Sequence, residues 1–211
     1  MDGRRLLLGD WTPLVRDGID VLRLLLVLAA GAALLVGDAG AALALGFVAA
    51  LALLARVVNL PRPYDFGFVL VLTLHALGEA FGWYDSLEWF DRIVHVVLPC
   101  LVAPVLYIGL ARLDVLSDPR DHTNARHYTG MAIVAFCLGM AVGGLWEIVE
   151  FASDGVLDTA LSEGNSDTVG DLVADAIGSL LGACLLVAWA VWGWGSVRRV
   201  TGTNTYEDVD A

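Results

Sequence analysis

The sequence predicts an all-α fold, a polytopic membrane protein built as a bundle of six transmembrane helices. The 211-residue chain is 58% hydrophobic, and its mean hydropathy of +0.72 lies well above that of an ordinary soluble domain. Its apolar residues fall into six long runs, and about 20 apolar residues cross a bilayer as a helix. The runs do not alternate between apolar and polar residues, which excludes a transmembrane β-barrel.

The six runs follow one another along a single predicted membrane domain. The basic, then apolar start of the chain is interpreted as a segment leading into the first span, not as a cleaved signal peptide. We assign residues 1–18 to this cytoplasmic or interfacial segment, 19–195 to the transmembrane domain and 196–211 to an acidic cytoplasmic tail. The predicted spans are 19–36, 40–58, 66–82, 93–113, 130–151 and 169–194.

The distribution of arginine predicts which loops are cytoplasmic. Arginines precede the first predicted span, occupy the second and fourth loops and follow the last span, whereas Arg92 is the only basic residue near the acidic odd loops. Because positively charged loops stay inside, we expect both termini to be cytoplasmic in a protein of the plasma membrane. The arginines of this predicted inner side are Arg4, Arg5, Arg16, Arg56, Arg62, Arg112, Arg120, Arg126, Arg198 and Arg199.

Net charge and cysteine content further narrow the class of protein and its environment. The formal net charge is −12, and all 12 basic residues are arginine. This is typical of a halophile, since salt screens an acidic surface, although a GC-rich genome is the alternative explanation. We expect no nucleic-acid partner. Cys100, Cys137 and Cys184 lie singly in three spans, which predicts neither disulfides nor a cysteine metal site.

Glycines and aromatic residues indicate how the spans pack and where they end. Glycines recur four apart at Gly78 and Gly82 and in two later spans, which predicts close helix contacts. The later pairs are Gly139 with Gly143 and Gly178 with Gly182. Aromatic residues at the ends of the runs are interpreted as interfacial belts, an outer one of Trp83, Tyr84 and Trp89 and an inner one of Trp189, Trp192 and Trp194.

Ionisable side chains recur near the same predicted end of four spans. A charge at the centre of a transmembrane helix costs roughly 2.5–3.5 kcal/mol, so such residues normally face a bundle interior. Within each span they are three or four residues apart and therefore lie on one helical face. We predict that these faces form one shared outer site. The residues are His75, Glu79, Asp91, His95, Glu147, Glu150, Asp167, Asp171 and Asp175.

This set of side chains predicts a divalent-metal site. Its carboxylates outnumber the nearby cations, so they cannot all stay charged without a bound cation. Mixed imidazole and carboxylate ligands on facing helices favour zinc, with manganese or iron as alternatives, over calcium. The predicted catalytic residues are Glu150 and Asp171. The predicted metal ligands are His75, Glu79, Asp91, His95, Glu147 and Asp175.

A purely structural interpretation of the same residues stays open. Asp91 and Asp167 are also placed where carboxylates cap helix starts. Glu150 is also placed to mark the exit of a helix from the membrane, and His75 to be a hydrogen-bonded core histidine.

Three segments carry a resemblance to known families. "YDSLEWFDRIVHVVLPCL", "LWEIVEFASD" and "DTVGDLVADAIGSLLGACL" resemble the YjdF-type inner-membrane proteins of unknown function, over about residues 64–190. More distantly, Asp91, His95, Glu147 and Asp171 resemble the pattern of VanZ-like proteins, which are linked to glycopeptide-antibiotic tolerance. Asp175 departs from that pattern, since VanZ-like proteins commonly carry asparagine there. The resemblance implies a membrane fold and an envelope-facing role and supplies no reaction.

Two classes of function remain in competition. The first is a metal-dependent hydrolase or transferase acting on a lipid or envelope substrate from the outer leaflet. The second is a proton- or cation-coupled transporter or ion-binding protein, because intramembrane Asp, Glu and His also build ion paths. A third and weaker hypothesis is a non-catalytic scaffold whose cluster only stabilises the bundle, since buried carboxylates without arginine partners stabilise a bundle poorly. Membrane lipids are expected partners in every case, and the sequence leaves the oligomeric state open.

The predicted orientation can be tested by labelling a cysteine introduced at Ser162, in the acidic fifth loop. In a background without the three native cysteines, Ser162→Cys is expected to react with a membrane-impermeant maleimide in intact cells. Labelling only after permeabilisation would reverse the orientation and move the predicted site to the cytoplasmic face.

Overall fold

The structure is a computed structural model that describes residues 15, 17–57, 60–87, 89–121, 126–157, 164–192, 198–199 and 206–207. Most of the predicted N-terminal segment, most of the predicted tail and the part of the fifth loop that contains Ser162 lie outside these residues.

Seven helices make up almost all of the described chain. They are α1 (Gly18–Leu35), α2 (Ala39–Val57), α3 (Arg62–Phe81), the single turn α4 (Trp83–Ser86), α5 (Phe90–Arg112), α6 (His127–Leu157) and α7 (Asn165–Trp192). All except α4 are long and apolar enough to cross a membrane, which confirms the predicted six-helix bundle. Two short strands, β1 (Arg198–Arg199) and β2 (Tyr206–Glu207), pair antiparallel.

The helices extend beyond several of the predicted spans. Helix α5 begins at Phe90 rather than at residue 93, and α6 ends at Leu157 rather than at residue 151. Hydropathy finds the apolar centre of a span, but the backbone hydrogen bonds of a helix continue into its polar ends. The turn α4 and the β1–β2 pair were not predicted, because neither has an apolar run of its own.

Helix α5 lies at the centre of the bundle. It packs most extensively against α7, and it also contacts α6 and α3, whereas α1 contacts mainly α2. Large apolar side chains such as Leu28, Phe47, Ile133 and Leu180 are exposed on the outer helix faces. These faces have the chemistry expected of surfaces that meet lipid.

Glycines of α7 allow this helix to lie directly against the backbone of α5. A Cβ atom added at Gly178 would overlap the carbonyl oxygen of Val96, and one at Gly182 would lie 2.5 Å from the carbonyl oxygen of Cys100. The small-residue spacing of this pair therefore does mark a close helix contact.

Glycines of α6 make room for polar side chains of α7 in the same way. A Cβ at Gly139 would overlap the hydroxyl of Ser179, and one at Gly143 would overlap the carboxylate of Asp175. The close contact predicted for this pair is confirmed, and it holds two buried polar groups rather than apolar ones.

In the pair Gly78 and Gly82, only Gly78 lies at a close contact. Gly78 contacts the rings of Phe90 and Tyr84, whereas Gly82 faces open space. Gly82 has a φ of 62°, in the left-handed region that glycine adopts without a steric penalty, and it ends α3 and begins α4. Its role is to form the turn that carries Tyr84.

The predicted inner aromatic belt is partly wrong. Trp189 is buried, its ring packs edge-on against Tyr64 at 5.5 Å, and Arg120 lies over it at 5.0 Å. Trp192 is exposed, as a belt residue should be, and Trp194 lies outside the described residues. Sequence position alone does not separate a belt tryptophan from a core one, because both lie near the end of a span.

The contact between α5 and α7 can be tested at Gly178. Gly178→Ala forces a methyl group against a backbone carbonyl, and such overpacking typically costs about 1–3 kcal/mol. Unfolding of the purified protein in detergent, followed by tryptophan fluorescence, should show this loss. Gly144→Ala is the matched control, since a Cβ there meets nothing within 4 Å. Equal stability of the two variants would contradict the close contact.

Candidate metal centre

The imidazole of His95 is the centre of a cluster of carboxylates. His95 lies in the second turn of α5 and is buried. Its Nε2 atom is 3.6 Å from Asp91 Oδ1 and 3.9 Å from Glu147 Oε1. Its Nδ1 atom is 3.1 Å from Asp175 Oδ1. The carboxylates therefore approach both ring nitrogens from α5 itself and from two other helices.

The packing of three helices brings these side chains together. Asp91 and His95 are four residues apart on one face of α5, Glu147 comes from the last third of α6, and Asp171 and Asp175 lie on one face of α7. Helices α5 and α7 begin at the same end of the bundle at which α3 and α6 finish. We call this the site end. The chain thus places its predicted polar faces at one end, with α5, α6 and α7 forming the cluster.

Several oxygens of the cluster are buried without a hydrogen-bond partner. Asp171 and Asp175 are only 2% and 1% exposed, and Glu147 is also buried. Glu147 Oε1, Asp171 Oδ1 and Asp175 Oδ2 have no hydrogen-bond partner among the described residues. A buried carboxylate that lacks a partner is costly. The cluster therefore needs protons or a cation to balance it.

The arrangement fits a metal ion. The cluster contains two groups of potential ligands whose donor atoms lie within 4.8 Å of one another: Asp91, His95 and Asp171, and His95, Glu147 and Asp175. Two ligand atoms bound at about 2.1 Å to one ion lie at most about 4.2 Å apart. The separations of His95 Nε2 from Asp91 and from Glu147 satisfy this limit.

The contact between His95 and Asp175 sets the orientation of the imidazole. If Nδ1 carries the proton and donates it to Asp175, Nε2 presents its lone pair toward Asp91 and Glu147. Metal-binding histidines commonly donate their second N–H to a carboxylate in this way. The geometry therefore suits Asp175 as an orienting partner of His95, whereas the sequence predicted it as a ligand.

His75 and Glu79 lie outside both ligand groups. The Nδ1 atom of His75 is 2.6 Å from the hydroxyl of Tyr84, and its ring packs edge-on against Tyr84 and Trp146. Glu79 is exposed. Among the described residues the structure thus gives His75 the role of a hydrogen-bonded core histidine, which was the structural alternative at this position.

Glu150 and Asp167 lie at the edge of the cluster. Glu150 follows Glu147 by one helical turn on α6, is half-buried and belongs to neither ligand group. Asp167 lies in the first turn of α7. Neither Asp91 nor Asp167 is the capping residue itself, since the N-cap of α5 is Trp89 and α7 begins at Asn165.

Two residues of this region were not predicted to take part in the site. Tyr84 was assigned to an aromatic belt, but the turn at Gly82 folds it back onto His75. Burial, together with the nearby carboxylates of Glu79 and Asp91, raises the pKa of Tyr84, so its hydroxyl keeps its proton. Ser179 is fully buried one turn beyond Asp175, and its hydroxyl has no partner among the described residues. Ser179 lies four residues after Asp175 and therefore on the same face of α7, and this spacing could have predicted its place beside the site.

A second buried charged cluster lies at the opposite end of the bundle, and the sequence analysis missed it. The guanidinium of Arg23 on α1 donates to Asp20 at 2.6 Å, to Asp65 on α3 and to the carbonyl oxygen of Ala52 on α2 at 2.9 Å. Arg56 on α2 lies 3.5 Å from Asp20. In this quartet, defined as Asp20, Arg23, Arg56 and Asp65, two arginines balance two aspartates.

The fold and the cluster together define an integral membrane protein of six apolar helices with a buried histidine–carboxylate cluster at one end. The chain belongs to the family described as "Predicted membrane protein (DUF2238)", whose model matches residues 20–191. It is also 30% identical over 107 residues to an uncharacterised protein of Thermotoga maritima. The match covers 50% of this chain and 52% of the relative, so the chain spans about half the length of the curated relative it matches. No solved structure matches the chain.

The quartet makes a prediction about stability. Asp65→Asn leaves Arg23 buried with one carboxylate fewer, and breaking a buried ion pair costs about 3–5 kcal/mol. Arg62→Gln, an exposed position on the same helix, should change the free energy of unfolding by no more than about 0.5 kcal/mol. Denaturation in detergent compares the two variants.

A double variant separates pairing from packing in the quartet. Arg23→Met combined with Asp65→Leu removes both charges and should be less destabilised than the two single changes added together. An Asp65→Asn protein as stable as Arg62→Gln would show that the quartet contributes little.

Proposed function

We propose that this protein is an intramembrane metalloprotein whose cluster binds one divalent cation through His95, Asp91 and Asp171. The observation that supports this most strongly is the set of buried carboxylate oxygens without partners around one imidazole. A divalent cation would replace the missing partners and would also offset the mutual repulsion of the carboxylates.

Asp171 and Asp175 have separate roles in this proposal. Asp175 holds the imidazole of His95 through Nδ1. Asp171, which shares a ligand group with Asp91 and His95, would be a ligand in place of the catalytic role first assigned to it. Glu147, whose Oε1 lies 3.9 Å from His95 Nε2, would supply a fourth donor. The donor set then contains one imidazole and several carboxylates. It is richer in oxygen than a set that includes His75, so manganese and iron fit it as well as zinc does.

The chemistry of such a centre favours a hydrolase or transferase. A divalent ion held by these residues would lower the pKa of a coordinated water and so activate it for hydrolysis near neutral pH. Glu150 lies one turn from Glu147 and outside the ligand groups, which suits it to act as general base. The arginine distribution predicts that the site end faces outward, and with this orientation a lipid or envelope substrate would approach from the outer leaflet.

The resemblances add little to this mechanism. A YjdF-type identity agrees with the membrane family to which the chain belongs, and neither description names a reaction. The VanZ-like resemblance and the high-salt habitat both stay predictions, and neither carries a part of the proposal.

A proton- or cation-coupled transporter is the second candidate, and one feature favours it. Asp171, Asp175 and Ser179 form a buried polar stripe on α7 that leads from the cluster toward the middle of the bundle. Further along α7 the buried residues are apolar, for example Ala183 and Leu186. The quartet at the other end belongs to other helices and is paired internally. The metal centre is therefore the better-supported function.

Metal analysis of the purified protein tests the proposal. Wild-type protein purified without chelator should contain about one divalent transition-metal ion per chain. His95→Ala should lose the metal and also unfold at a lower temperature, because the carboxylates are left to repel one another. His127→Ala is the matched control, since His127 contacts the carbonyl oxygen of Pro119 and lies outside the cluster. It should keep the metal.

Two further variants assign the roles within the site. Asp175→Asn should weaken metal affinity by about 10- to 100-fold, as is typical when the orienting partner of a metal-binding histidine is lost. Glu150→Gln should retain the metal, because Glu150 is not a ligand. A stable wild-type protein without metal, together with a His95→Ala variant of undiminished stability, would refute the metal centre and favour the proton- or cation-coupled transporter.

A further inference from the structure

We propose that the groove between α5 and α7 binds one anionic phospholipid, with the phosphate paired to Arg92 and one acyl chain lying along α7. This inference rests on the proposed function insofar as it names phosphate-bearing lipids as the substrate class of the metal centre. The lipid-binding site itself is independent of the metal and can be tested separately.

The groove is an open, largely apolar depression on the surface between the two helices. It has a volume of about 490 Å³ and is lined on α5 by Arg92 and Val96 and on α7 by one face between Ser166 and Ile177. On that face the small residues Gly170 and Ala174 create a hollow, and larger apolar residues such as Val173 also line it. A Cβ added at Gly170 meets nothing within 4 Å, so the hollow is open along its floor.

The length of the groove matches one leaflet. Ser166 and Ile177 are separated by about 16 Å along the helix axis at 1.5 Å per residue. The hydrocarbon core of a bilayer is about 30 Å thick, so one leaflet contributes about 15 Å. The groove starts at the site end, where α7 begins, and runs toward the bundle centre. An acyl chain can therefore follow it from the headgroup region to the bilayer midplane.

The charge at the start of the groove is the opposite of that in the cluster. Arg92 is exposed, and none of the ion pairs found among the described residues includes its guanidinium. Asp91, its neighbour in the chain, instead turns toward His95 on a different face of α5. A guanidinium at a membrane surface is well suited to pair with a phosphate through two parallel hydrogen bonds. Arg92 thus complements the anionic headgroup of a phospholipid.

The groove and the cluster converge on the same two helices. Arg92 directly follows the proposed ligand Asp91, and Gly170 directly precedes Asp171. A lipid phosphate held at Arg92 would therefore lie beside the proposed metal centre, on the adjoining faces of α5 and α7.

Lipid retention by purified variants tests the inference. The full chain is placed in nanodiscs of phosphatidylcholine containing a minor fraction of phosphatidylglycerol, and the lipid that stays bound is measured by native mass spectrometry. Wild-type protein should retain one phosphatidylglycerol per chain in preference to phosphatidylcholine. Arg92→Gln should weaken this preference roughly tenfold, the loss expected for one charge-assisted hydrogen-bonded pair.

A second pair of variants tests the apolar part of the groove. Gly170→Trp fills the hollow and should abolish the bound lipid, whereas Gly144→Trp on α6 should not, although a Cβ at either glycine meets nothing within 4 Å. If Gly170→Trp does not fold, the retention of phosphatidylglycerol by Arg92→Gln is sufficient to test the inference. Unchanged retention in Arg92→Gln would overturn the inference. So would a loss of oligomers in Gly170→Trp, because the face would then be an interface between copies of the chain.

Metal content separates this inference from the proposed function. Arg92→Gln and Gly170→Trp should keep the metal, and His95→Ala should lose the metal but keep the lipid. Preferential phosphatidylglycerol binding by a protein without metal would refute the metal centre and leave the lipid site standing. Metal without any preference for phosphatidylglycerol would refute the lipid site alone.

Discussion

A carboxylate buried among apolar helices has no water around it, and this constraint governs both ends of the bundle. Each such group needs a cation, a proton or a hydrogen-bond donor from the protein. At one end the quartet meets the need internally, because Arg23 and Arg56 lie against Asp20 and Asp65. At the site end the ion pairs found among the described residues join the carboxylates to His95, and none of them includes an arginine. The charges of the first cluster are therefore balanced within the chain, whereas those of the second call for a proton or a cation from outside it.

The close packing of α5, α6 and α7 makes such a cluster possible in so small a bundle. Gly178 and Gly182 let α7 approach the backbone of α5, and Gly143 gives the carboxylate of Asp175 the space that a side chain would fill. Without these glycines the helices would stand further apart, and Asp175 could not reach the imidazole of His95 at 3.1 Å. The same residues that hold the helices together thus set the distances within the site.

The sequence predicted the six-helix fold well because hydropathy depends only on the residues along each segment of the chain. It also identified His95, Asp91, Glu147, Asp171 and Asp175 as candidates, because spacing fixes which residues share a helical face. Spacing does not fix how a helix is rotated relative to its neighbours. His75 and Glu79 share a face with each other, but α3 does not bring them into either ligand group.

The features that the sequence did not reveal depend on contacts between distant segments. The quartet joins Arg23 to Asp65, which are 42 residues apart, and no local pattern records such a pairing. The contact of Tyr84 with His75 depends on the left-handed turn at Gly82, which has no hydropathy signature. The groove at Arg92 results from the hollow beside Gly170, a property of two packed helices rather than of either one.

Pro99, inside α5, leaves a gap in the hydrogen bonding of this helix beside the site. Pro99 has no N–H, so the carbonyl of His95 lacks the hydrogen bond that would continue the helix at that point. Gly178 and Gly182 of α7 pack against the backbone of Val96 and Cys100, on either side of Pro99. Where α5 itself lacks a hydrogen bond, the packing of α7 therefore holds His95 in place relative to the carboxylates that α7 carries.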